Sequence, residues 1–120
     1  MTHYFKVIKE VKTETIETSV ESYHFSVERQ ERRQNIQRLV GKGKLVTSFI
    51  VDRQHKNGYT REYLFDNGVV LVVNEKTHRI VTEYISRPSH IRRYWDYNVP
   101  SQYQYIVNIA RKWQNLGYID

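Results

Sequence analysis

Between residues 46 and 85 the chain alternates β-branched and aromatic runs with short polar breaks. Val46 to Arg53, Tyr59 to Phe65, Val69 to Val73 and Arg79 to Ile85 are four β-rich runs. Their separators contain Asn57-Gly58, Asp66-Asn67-Gly68 and Asn74-Glu75-Lys76-Thr77-His78, residues that favour tight turns. Each break is too short for a crossover, so consecutive runs are expected to pair antiparallel as a meander. Val69 to Val73 is apolar at every position, which marks it as the expected central strand, covered on both faces. That cover must come from the flanking segments.

Upstream, Tyr4 to Val11 alternates well enough to form a strand burying Phe5, Val7 and Val11. Lys12 to Ser22 carries only Ile16 and Val20 among Thr and Glu, and reads either as an edge strand closing a hairpin, the expectation adopted, or as a polar connection. A helix is expected from about Phe25 to Val40, with Ser26 as its cap and Glu28 facing the positive end of its dipole. Val27, Ile36, Leu39 and Val40 give it one narrow apolar stripe, Arg29, Arg32, Arg33 and Arg38 a cationic outer face, and Gly41 a stop. Downstream of Arg87-Pro88, a short helix capped by Ser89 is expected to reach Trp95. A longer one follows, with Ser101 and Gln104 at capping-box spacing and Ile106, Ile109, Ala110, Trp113 and Leu116 on its inner face. The whole predicts one α+β domain over residues 1–120: a four- or five-stranded, mostly antiparallel sheet, one helix before the meander and one or two after it.

Composition narrows the chemistry. The chain has no cysteine, which excludes disulfides, thiolate nucleophiles and cysteine-ligated metals. With no apolar run of signal or membrane-span length, the expected setting is cytoplasmic, without membrane contact. Lys and Arg outnumber Asp and Glu by 19 to 13, a net charge of +6 that attracts polyanions, nucleic acid foremost, or complements an acidic protein surface. The five histidines, at 3, 24, 55, 78 and 90, are scattered, and no phosphate loop, nucleophile elbow or paired-His motif occurs. Neither a cofactor nor a metal is expected.

Two constellations remain as candidate sites. Arg87-Pro88-Ser89-His90-Ile91-Arg92-Arg93-Tyr94-Trp95-Asp96-Tyr97 mixes cations that neutralise phosphates with rings that stack on bases. Arg87, His90, Arg92, Arg93 and Tyr94, with Arg29, Arg32 and Arg33 of the preceding helix, are its candidate nucleic-acid contacts. The structural alternative packs Ile91, Tyr94 and Trp95 inward and leaves the arginines solvated. The second constellation joins His24 to Arg61, Tyr63, Thr82 and Tyr84, where residues two apart on a strand share a face. His, Arg and a hydroxyl can serve as base, phosphorane-stabilising cation and acid in metal-free RNA cleavage.

The order of a His- and Arg-bearing helix, a Gly stop and a meander ending in Arg79-Ile80-Val81-Thr82-Glu83-Tyr84 resembles the RelE/barnase-like group of small metal-free ribonucleases and toxins. The resemblance covers about residues 22 to 86. It implies His24, Arg29, Arg61 and Thr82 as the positions nearest to the group's active-site elements. Arg87 to Tyr94 also resembles stretches in small proteins of Firmicutes phages and prophages. The expected function is therefore a phage-type protein binding RNA or single-stranded DNA on a ribonuclease-like scaffold, with RNA cleavage open. The alternative is an accessory that inhibits a host enzyme or defence complex through the same basic, aromatic surface.

Overall fold

The computed structural model describes residues 4–18, 27–54 and 58–119, with the backbone alone for 27–29. Strands β1 (Lys6–Val11), β2 (Leu45–Asp52), β3 (Tyr59–Phe65), β4 (Val69–Asn74) and β5 (Ile80–Ile85) form one sheet in the order of the chain. Every neighbouring pair is antiparallel. Helix α1 (Val27–Val40) precedes the meander, and α2 (Pro88–Arg93), a 3-10 turn (Ser101–Tyr103) and α3 (Gln104–Asn115) follow it. This is the expected α+β arrangement with five strands.

The turns behave as their residues require. Gly68 closes the β3–β4 turn at φ 82°, donating from its amide to the Phe65 carbonyl at 3.0 Å, a conformation a side chain would resist. Between β4 and β5 the Asn74 side-chain oxygen accepts the amides of Lys76 and Thr77, both at 2.9 Å. Gly41 ends α1 at φ 75°.

Alternation along β3 and β4 divides the core between two faces. Phe49, Val51, Leu64, Val70 and Val72 pack beneath Ile91 of α2 and Ile106, Val107 and Ala110 of α3. On the opposite face Tyr63, Leu71 and Val73 meet Ile16, Leu45, Phe65 and Ile80. Helix α1 lies over the β5 side of that second face, with Ile36 its buried residue among those whose side chains are described. No helix among the described residues is long and apolar enough to cross a membrane.

Several local expectations need correction. Strand β4 is covered on both faces, but the central position belongs to β3, because β1 adds to the far side of β2. Residues 12–18 form no strand, and 19–22 lie outside the described residues, as do Ser26 and the Phe25 start of the first helix. Pro88, whose ring presets a helical φ and whose missing N–H costs nothing at a first turn, starts α2 without any bond from Ser89 to cap it. Ser101 opens a 3-10 turn and forms no capping box with Gln104. The inner face of α3 includes Val107 in place of Leu116, which is 54 % exposed beyond the last helical turn. Leu39 also faces outward.

Candidate functional site

The side chain that organises the α2–α3 face is a carboxylate. Glu62 sits on β3 between Thr60 and Leu64 in the inward row and is fully buried. Arg53, just past β2, grips it with two hydrogen bonds of 2.9 Å, from Nε to Oε2 and from Nη2 to Oε1. The Thr60 hydroxyl donates to Oε2 at 2.7 Å and the Tyr94 hydroxyl to Oε1 at 2.6 Å. Four donors fill the four lone-pair directions of the carboxylate, so it has no acceptor capacity left for a substrate. Burial works against the Arg53 charge, but the bonds and field of Glu62 outweigh it and hold the guanidinium above its ordinary value.

From Tyr94 the network continues to His90. The His90 Nε2 lies 3.1 Å from the Tyr94 hydroxyl and 2.8 Å from that of Tyr84. Tyr94 has committed its proton to Glu62, so a bare Nε2 accepts from Tyr84 whereas a protonated one donates to Tyr94. Burial lowers the His90 pKa to about 4, with Arg53 and Arg93 pushing the same way against Glu62. The imidazole is therefore neutral at pH 7. Burial raises both tyrosine hydroxyls above their ordinary range and keeps them protonated.

Over this network lies Phe5, from the segment entering β1, edge-on to His90 at 5.3 Å. Two guanidinium groups converge on its ring, Arg53 at 4.6 Å and Arg93 at 4.5 Å from the centroid. Arg93 and the exposed Arg92 meet no carboxylate among the described residues. Arg87 is exposed at the start of the same helix. Tyr97, just beyond it, is 58 % exposed and presents a ring to solvent.

The expected basic and aromatic stretch is thus split. Ile91 and Tyr94 turn inward, Tyr94 stacking on Phe49 at 4.4 Å, so its ring has no free face for a base. Trp95 ties α2 to β1 by donating to Glu10 at 2.9 Å. Arg32 and Arg33 belong elsewhere: Arg32 donates to the Thr82 hydroxyl at 3.0 Å, and Arg33 lies 3.8 Å from Glu83. The side chain of Arg29 and all of His24 fall outside the described residues. Arg61 pairs with Glu75 at 2.9 Å, and its Nε is buried with no hydrogen-bond partner among the described residues. In the registers, Glu62 aligns with Val72 and Thr82, while Arg61 aligns with Val73 and Ile80. The pairing slips between Val72 and Val73, and the two side chains are engaged separately, Arg61 by Glu75 and Thr82 by Arg32 of α1.

Sequence reasoning missed Arg53, Glu62 and Phe5. One signal was present: placing Tyr63 and Phe65 on one face of β3 forces Thr60, Glu62 and Leu64 onto the other. Among the described residues no group of three or more His, Asp or Glu could hold a metal ion. The chain matches no protein family, no curated protein and no solved structure.

Proposed function

We propose that the protein binds single-stranded nucleic acid, as a phage-type accessory on a ribonuclease-like scaffold. The convergence of Arg53 and Arg93 on Phe5, flanked by exposed Arg87 and Arg92, carries this reading. Arg53 is fixed by Glu62 and serves as a rigid post, whereas Arg92 and Arg93 are available to phosphate oxygens. Tyr97 supplies the stacking surface that Tyr94 does not. The net charge of +6 adds long-range attraction for a polyanion. The saturated Glu62, and the engagement of Arg61 by Glu75 and of Thr82 by Arg32, favour binding over cleavage.

The test is fluorescence anisotropy with a labelled oligonucleotide across a salt series. Affinity should fall steeply with salt, and replacing Arg92 and Arg93 together by Ala should flatten the logarithmic slope by about 1.4, from two lost phosphate contacts on a single strand. Absence of binding at low salt overturns the proposal. Capture of one protein partner from nuclease-treated lysate, with no affinity for oligonucleotides, would establish the inhibitor reading in its place.

A further inference from the structure

Helix α1 lies over the β5 side of the second face of the sheet. Ile36 is its buried anchor among the described side chains, and a cleft of about 530 Å³ remains between helix and sheet. This volume is within the range that holds a small organic ligand. Its walls are mixed: Ile36 and Phe65 are apolar, Gln34 and Gln37 bring carboxamides, and Arg33 and Glu83 bring opposite charges.

The charged pair is the informative part. The Arg33 Nε and Glu83 Oε2 stand 3.8 Å apart, beyond hydrogen-bond range, and among the described residues Glu83 meets no other donor. Its side chain is 16 % exposed, and burial raises its pKa against the pull of Arg33. A part-buried carboxylate whose neighbouring cation stands beyond hydrogen-bond range gains from a ligand that supplies an N–H. Arg33 alongside asks for an acceptor. An aliphatic ligand would strand both charges, and a simple anion would be repelled by Glu83. A flat heterocycle with a donor next to an acceptor on one edge satisfies both while its face packs on Phe65.

We infer that this cleft is a nucleobase site, in which Glu83 accepts a ring or exocyclic N–H, Arg33 donates to the adjacent acceptor, and the carboxamides of Gln34 and Gln37 read the remaining edge. Lys42, also on the cleft wall, is placed for a phosphate. The base comes either from a free nucleotide or from an unpaired residue of a strand. The site lies on the opposite face of the sheet from Phe5 and Arg93, so it stands or falls independently of the interface proposed above.

Calorimetric titration with each of the four 5′-ribonucleoside monophosphates, and with ribose 5-phosphate as the baseless control, tests it. At least one nucleotide should bind about tenfold or more tightly than ribose 5-phosphate, the effect expected of one good hydrogen bond to a charged group. Glu83→Gln should weaken that nucleotide about tenfold while its thermal melting stays cooperative. In the Arg92→Ala/Arg93→Ala background, which removes the phosphate contacts proposed for the other face, the preference for that nucleotide over ribose 5-phosphate should persist. Displacement by an oligonucleotide at lower concentration than by the mononucleotide assigns the base to a strand, and the reverse order assigns a free nucleotide. Equal affinity for ribose 5-phosphate, no binding at millimolar concentration, or an unaffected Glu83→Gln overturns the inference. Gln34 is exposed on the cleft wall, so Gln34→Ala keeps the fold and should reduce the difference in affinity among the four nucleotides.

Discussion

Replacing Arg53 by Met would test whether the buried carboxylate organises the core as its geometry implies. Met keeps much of the alkyl stem over Phe5 and removes both donors to Glu62, leaving a fully buried carboxylate with Thr60 and Tyr94 as its remaining partners. Breaking a buried pair from one side costs about 3–5 kcal/mol, because the surviving charge is uncompensated. For a domain of this size that corresponds to a fall in Tm of about 12–20 °C. Denaturant unfolding followed by tryptophan fluorescence measures it directly, since Trp95 sits on this face. The double variant Arg53→Met/Glu62→Gln supplies the control. Neutralising the stranded charge should recover at least half of the loss, and the two changes should be strongly non-additive. If Arg53→Met costs less than about 1 kcal/mol, or the second change makes matters worse, then Glu62 is not held as an ion by Arg53 and the reasoning fails.

Further outcomes follow from the same geometry. His90 has a folded pKa of about 4 against an ordinary 6.5, so its contribution to stability is fully present above pH 6.5 and is lost as pH falls toward 4, where the unfolded chain takes up the proton first. The loss amounts to about 3 kcal/mol, and His90→Gln should remove that part of the Tm-versus-pH slope relative to the parent. Gly43→Ala should destabilise by about 1–3 kcal/mol, because its Cβ would stand 2.5 Å from the Asn67 Oδ1, and Asn67 is held by bonds to the Gly41 carbonyl and from the Val69 amide. Adding Asn67→Ala removes the clash, so the double variant should be less destabilised than the sum of the singles, as read by urea midpoints. Tyr84→Phe should leave Glu62 untouched and free His90 from one partner, costing about 1 kcal/mol with the circular dichroism spectrum preserved.

The meander was legible because its turns announce themselves: Asp66-Asn67-Gly68 and Asn74 through His78 use residues whose backbone or side-chain preferences suit tight reversals. Strand β4 was legible from its unbroken apolar run, and the inward Ile106 and Ala110 from their helical spacing. The polar centre was not. In β3 Arg61 and Glu62 are adjacent and so point to opposite faces, and the partners that hold Glu62 inward come from Arg53 across a hairpin and from Tyr94 thirty-two residues later. The cationic stretch after β5 misled in a related way. Two of its side chains, Ile91 and Tyr94, are spent on packing, because a six-residue helix must anchor itself with every residue that faces the sheet. The cleft under α1 had no sequence signature, since its opposing charges come from a helix and a strand fifty residues apart.

Arg53 and Glu62 belong to a single hairpin, nine residues apart, while Tyr94 reaches them only when α2 closes over the sheet. The ion pair can therefore form while water still surrounds both charges and the chain is only locally ordered. Desolvation comes afterwards, on partners already matched, which spares the refolding chain from dragging an unpaired charge into its interior. Strand β1 should join later, because it must find β2 across the whole of α1 and contacts of long sequence separation close slowly. Refolding kinetics should accordingly respond to changes in the β2–β3 hairpin in the folding arm, and to changes at Phe5 and Glu10 chiefly in the unfolding arm.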